Sequence, residues 1–202
     1  GAYAIFAYRD HVDIHEGNFV DSWVTDTTDP RRHYVRHYLV DFGRSLSAMA
    51  LFQHDWRRGH SYVVDFQDIA RTFFTLGLID RDWQHRPLEP QPYIGIFDAG
   101  TFDPGNWHPD WPAYLPFVTA DRFDKFWAAT IVARFSRDQI AAAVDAARIH
   151  DAGARAYIVD TLAARRQQTL AYWFSRVNPL DRFVAFATDA GPGRIAAKME
   201  AA

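Results

Sequence analysis

The chain has 202 residues, 49% of them hydrophobic, enough for one well-formed core. Its formal net charge is -3 and cysteine is absent, which excludes a global electrostatic pull toward nucleic acid, a disulfide framework and a thiolate metal site. No apolar run approaches the ~18 residues that a membrane-spanning helix needs.

The cations are mostly arginine: Lys125 and Lys198 are the only lysines, a ratio that fits a GC-rich genome better than phosphate recognition. The lack of cysteine suits the cytoplasm and an exported location equally. The chain opens GAYAIFAYRD, without an initiator Met or a signal peptide. The expectation is that an N-terminal part precedes Gly1.

Residues 2–10 read as an apolar helix, with HVDIHEGN (11–18) as the loop that follows it. FVDSWVT (19–25) alternates and carries β-branched and aromatic residues, as a strand does. TDTTDPRR (25–32) has turn chemistry, and YVRHYLVDF (34–42) is a second strand, so a hairpin is the simple reading. The state of SLSAMALF after Gly43 is open. VVDFQDIARTFFTLGL (63–78) has Phe66, Ile69, Phe73 and Phe74 at helical spacing.

From Pro87 to Pro116 the chain carries seven of its ten prolines. Tyr93, Trp107, Trp111 and Tyr114 in this segment suit a partner surface, but an ordered loop folded over a helical core is the favoured reading. TADRFDKFWAATIVARF (119–135) predicts a helix with Thr119 as N-cap and Phe123, Phe126, Trp127 and Ile131 in the core. Ser136 with Gln139 forms a capping box for the next helix. A third helix runs from about Ala154 to Phe174, with Arg165 and Arg166 on a solvated face and Asn178-Pro179 as the stop. RFVAFAT (182–188) reads as a final strand, and AGPGRIAAKMEAA as a poorly ordered tail or a short terminal helix. The fold class is α+β, mostly helical with one small hairpin: one domain over 1–190 and a tail over 191–202.

Two phrases carry chemistry. His11-x-Asp13 is followed by Asn18, and a strand then ends in Asp41-Phe42-Gly43. A polar turn accounts for Asp13 and Asn18 taken alone; the arrival of Asp41 in the right order is what favours a site. The pattern H-x-D-x-x-x-x-N, then hydrophobic-D-F-G, is that of protein-kinase-like sequences. It resembles the catalytic and metal-binding loops of atypical kinases: phosphoinositide 3/4-kinase-like, HipA-like and CotH-like. VRHYLVDFGRSL, RFDKFWAATIVARFS and YWFSRVNPLDRF, over most of the chain, resemble an uncharacterised bacterial protein family.

The kinase resemblance covers residues 2–43 and implies a kinase-like C-lobe, with ATP and Mg2+ as cofactors and a hydroxyl acceptor as partner. It implies a catalytic loop of Asp13, the proton-accepting carboxylate, and His11, which braces the loop. Asn18 and Asp41 are then metal ligands, and Gly43 lets the chain turn just beyond Asp41. His15 is equally a support for Asp13 or a solvated side chain. No Gly-rich loop, no phosphate-gripping lysine and no A-P-E motif is recognisable, so an N-lobe is expected ahead of Gly1 or from a protein partner. A nucleic-acid partner and a membrane span are not expected. One alternative is a non-catalytic, pseudokinase-like or structural subunit. A second is a metal-dependent hydrolase built on His11, Asp13 and His15, with His33, His37, His54 and His60 near in sequence.

Overall fold

The computed structural model describes residues 1–48, 56–85, 94–112, 114–177, 180–187 and 195–201. The element order is α1 (Tyr3–Arg9), β1 (Phe19–Thr25), β2 (His33–Leu39), α2 (Phe66–Phe74), α3 (Leu115–Val118), α4 (Arg122–Ala133), α5 (Arg137–Ala146), α6 (Ala152–Phe174), β3 (Leu180–Ala187) and β4 (Ile195–Ala201). The fold is mixed α+β, as expected. No helix among the described residues is long and apolar enough to cross a membrane.

α1 is short and apolar and ends where Asp10 turns left-handed, φ 49°. A seven-residue helix is marginal by itself, and α1 is held by packing on α4 and α6. Tyr3, Phe6 and Ala7 join Val12, Ile14, Trp107, Phe117, Ala128, Ala129 and Trp173 in the first apolar cluster. The second cluster gathers Ile94, Phe97, Ile140, Val144, Ile158 and Val159, where α5 and the 94–98 strip meet α6. The described part of the proline-rich segment is thus an ordered loop with Trp107 in the core; Tyr93 lies outside the described residues.

β1 and β2 pair antiparallel from Phe19↔Leu39 to Thr25↔His33, the hairpin expected. β2 stops at Leu39, three residues before the expected end, because Asp41 adopts φ 57° and breaks the extended run.

Helix starts follow local capping. Ser136 and Gln139 form the expected reciprocal box. α4 departs from expectation: Asp121, not Thr119, caps it, with Asp124 completing the box, while the Thr119 hydroxyl donates to Leu115 O and finishes α3. Half of its bulky stripe is not core either, while Phe126 and Ile131 are partly buried. Phe123 and Trp127 are more than half exposed; Ala128, Ala129 and Val132 make the buried face. Small side chains let α4 approach α1 and α6 closely, and Phe123 and Trp127 are left on the outside.

The amphipathic stretch at 63–78 does fold as a helix, α2, but its apolar side is uncovered. Phe66, Phe73 and Phe74 are 78%, 74% and 82% exposed. Asp65 caps its start by accepting from Asp68 N–H.

At the C-terminus, residues 195–201 form a strand paired with β3 rather than a loose tail or a helix. Asn178 and Pro179, the expected stop, lie outside the described residues; α6 has already ended at Phe174.

Arg165 is the largest correction. It is 1% exposed rather than solvated. Its guanidinium donates to Ala7 O (2.6 Å), Tyr8 O (3.0 Å) and Asp98 O (2.7 Å), so α6 supplies the C-terminal cap of α1 from across the core. Phe97 and Phe102 flank it at 4.7 and 3.7 Å from their ring centroids. Asp10 lies 3.8 Å away and also receives Trp107 Nε1–H (2.6 Å) and the Ser47 hydroxyl. Gly59, at φ 79°, passes so close that a Cβ would sit 2.5 Å from Asp10 Oδ1; only glycine suits that backbone.

Candidate functional site

The loop after α1 sorts its side chains by position. His11, Val12 and Ile14 point into the core at 0–1% exposure. Asp13 and His15 are only partly buried.

His11 N–H donates to Phe6 O (3.0 Å). Its ring is stacked between those of Phe6 (5.1 Å) and Phe42 (5.8 Å). Nδ1 lies 3.2 Å from Ser45 Oγ, and Nε2 is buried without a hydrogen-bond partner. Burial and the neighbouring Arg9 push the imidazole down to about 4, against the opposing pull of Asp13 and Asp41. The ring is therefore neutral near pH 7. Its stacking on Phe42 links the loop after α1 to the D-F-G turn.

The sign of the pH effect follows. The free imidazole titrates at 6.5 and the folded one at about 4, so the unfolded chain binds the extra proton between those values. This group leaves stability unchanged above pH 6.5 and lowers it as the pH falls from 6.5 toward 4. His11→Phe keeps a ring between Phe6 and Phe42 and is expected to flatten that part of the Tm-against-pH curve. An unchanged slope would place the acid sensitivity elsewhere.

Asn18 ties the motif together. It is 6% exposed, and its Nδ2 donates to the main-chain carbonyl of Asp13 at 3.0 Å. Its own carbonyl accepts Val40 N–H at 3.0 Å. One residue thus holds Asp13 on one side and the residue before Asp41 on the other. The Asp41 carboxylate is at the surface, with Oδ1 accepting Gly43 N–H at 3.1 Å. The left-handed residue of this turn is Asp41, not Gly43, a correction to the part expected of the glycine. Gly43 makes room instead: a Cβ there would lie 3.1 Å from Asp41 Oδ1.

His15 caps the short turn at 16–18, its Nδ1 accepting Gly17 N–H, with Nε2 4.0 Å from Asp13 Oδ1. It is therefore a partial support for Asp13. The imidazoles do not gather. His37 pairs with Asp21 on the hairpin and His33 with Thr25, while His11 is in the core; His54 lies outside the described residues. Among the described residues no three His, Asp or Glu side chains come close enough to share a metal ion. Among the described residues the ligand set of the hydrolase alternative does not come together.

Three charged residues at the site had no sequence signal. Arg44, just past the D-F-G turn, places Nε 3.4 Å from Asp13 Oδ2 and Nη1 3.0 Å from Asp110 Oδ2. Arg58 reaches the same Asp110 oxygen at 2.8 Å. Burial pushes the Asp110 carboxyl up, more than the two arginines pull it down. Asp110 N–H also donates to Val12 O, so the 94–112 loop is bonded to the loop that carries Asp13.

Comparison of the chain with protein-family models, curated proteins and solved structures finds no match.

Proposed function

We propose that the chain is a kinase-like C-lobe that works in magnesium-dependent transfer of the ATP γ-phosphoryl group to a hydroxyl acceptor. The observation that carries this reading is the bridge through Asn18, which joins the Asp13 carbonyl to the residue before Asp41. It brings the two halves of the motif to one place by named hydrogen bonds.

Asn18 and Asp41 would be the ligands of the ion. Asn18 uses its amide nitrogen on Asp13 O, which leaves Oδ1 as its free donor atom. Asp41 uses Oδ1 on Gly43 N–H, which leaves Oδ2. Hard oxygens of this kind suit magnesium, which when bound would offset the negative charge of the nucleotide. Asp13 is held by its backbone and lies outside the core, as an acceptor-orienting carboxylate must. The acceptor oxygen would bond to the γ-phosphorus as the bond to the β-bridging oxygen breaks and ADP leaves. The hydroxyl proton would pass to an Asp13 carboxylate oxygen. Arg44 supplies that carboxylate with a countercharge.

Titration calorimetry of the chain together with the N-lobe it is expected to need, with ATP and with and without magnesium, tests this. Binding is expected to need magnesium and to weaken about tenfold or more in Asp41→Ala, a loss of about 1.4 kcal/mol or more. No binding at millimolar ATP would overturn the reading. It would favour a second one, a non-catalytic binding module, for which the uncovered apolar side of α2 and the exposed Trp23, Val35 and Tyr38 of the hairpin speak.

A further inference from the structure

Beside α1 lies an apolar groove of about 620 Å3 between α1, α4, α5 and α6. That volume is within the ~300–1,000 Å3 range of small-molecule sites. Tyr8, Leu46, Val132, Ile140, Val144 and Leu162 supply its walls, and Phe42 and Phe135 stand at its rim with nearly half their surface exposed. The groove has little to offer a polar ligand. The carbonyl oxygen of Gln139 is already taken by Ser136 N–H, and Ser45 lies between Arg9 and His11.

Among the described residues one charge lines this groove, that of Arg9. Its guanidinium is half-buried, lies 5.1 Å from the Phe42 ring centroid and donates through Nη2 to Ser45 Oγ at 3.3 Å. Its Nε is buried with no hydrogen-bond partner. Among the described residues no carboxylate pairs with it. The α1 C-terminus favours a cation there but supplies no counter-ion. Every other strongly buried cation of the site and core has partners: Arg165 has three carbonyls and Arg58 has Asp110. A half-buried cation without an anion beside an apolar trough is complementary to a molecule with an anionic head and a hydrocarbon tail.

We infer that the groove binds a long-chain fatty acid, its carboxylate on Arg9 and its alkyl chain along the α5–α6 walls. This site is independent of the nucleotide reading, since neither Asp13, Asn18 nor Asp41 lines it. It does touch Phe42, the ring stacked on His11.

The test is calorimetric titration of the protein with dodecanoate, below the concentration at which it forms micelles. Ala143→Trp and Arg9→Met are the variants. Ala143 lines the groove from an exposed position in mid-α5, so the indole fills the trough without displacing core, and circular dichroism verifies that the helices remain. The expected result is one saturable site, weakened about tenfold or more by each variant, with 1-dodecanol bound at least about fivefold more weakly than dodecanoate. Should Arg9→Met fail to fold, Ala143→Trp and the alcohol comparison decide. No saturable binding overturns the inference. So does binding that Ala143→Trp leaves unchanged, or an alcohol bound as tightly as the acid. Capture by anionic phospholipid vesicles without binding of free dodecanoate would also overturn it, and would indicate a membrane surface instead.

Discussion

Replacing Arg165 by methionine is expected to lower the free energy of unfolding by about 3–5 kcal/mol, the range for breaking a buried charge network by removing one partner. Methionine keeps much of the side-chain stem and so separates lost polarity from lost volume. What it leaves behind is costly. Ala7 O, Tyr8 O and Asp98 O lose the donor that caps them, and Asp10 loses the buried cation 3.8 Å away. Each of those groups lies in the core or at the end of α1, where water cannot easily take over. The control is the neighbour. Arg166 is only partly buried and donates one bond, to Ala133 O at 2.6 Å. Arg166→Met is expected to cost about 1 kcal/mol. Urea unfolding followed by tryptophan fluorescence compares the two. A cost for Arg165→Met no larger than that for Arg166→Met would mean that α1 is held by apolar packing alone.

The same pair of arginines marks where the sequence could be read and where it could not. Alternation over 19–25 placed β1 at its observed bounds, and the S-x-x-Q box placed the start of α5, because both signals are local and each depends on residues within one turn or one strand. Amphipathic spacing found α2 and α4 as helices too. It misplaced part of the bulky face of α4, because a periodic pattern reports which side is apolar and not whether another element covers it. For α4 the buried contact is made by alanines, which carry almost no hydropathy signal of their own. Arg165 failed for the complementary reason: charge favours the surface unless carbonyls wait in the core, and its acceptors are 157 and 158 residues away in α1. The candidate site divides in the same way. The order of His11, Asp13, Asn18 and Asp41 was legible as a motif. The Asp110 carboxylate that Arg44 shares with Arg58 comes from a proline-rich loop 66 residues on from Arg44, at a separation no spacing rule covers.

If Asp13 is the proton acceptor, Asp13→Asn is expected to keep magnesium-dependent ATP binding within about threefold of the wild type and to cut ADP formation about a hundred- to ten-thousandfold. The loop combines two jobs that this substitution separates. Asn18 grips the main-chain carbonyl of residue 13, a contact that any side chain there preserves, so the proposed metal ligands keep their places. The side chain alone changes, from a carboxylate that accepts a proton to an amide that does not. The ion pair with Arg44 is lost as well, but Arg44 retains Asp110, and Asp110 retains Arg58, so the cation does not collapse into the vacated position. Asp41→Ala should behave in the opposite way and lose the nucleotide itself. Calorimetry and a coupled assay of ADP release, run on both variants, therefore distinguish a proton acceptor from a metal ligand. If Asp13→Asn lost ATP binding as fully as Asp41→Ala, Asp13 would belong to the nucleotide site. If it released ADP at the wild-type rate, the carboxylate would have no part in the chemistry, and the hydrogen bonds around residue 13 would serve only to shape the loop.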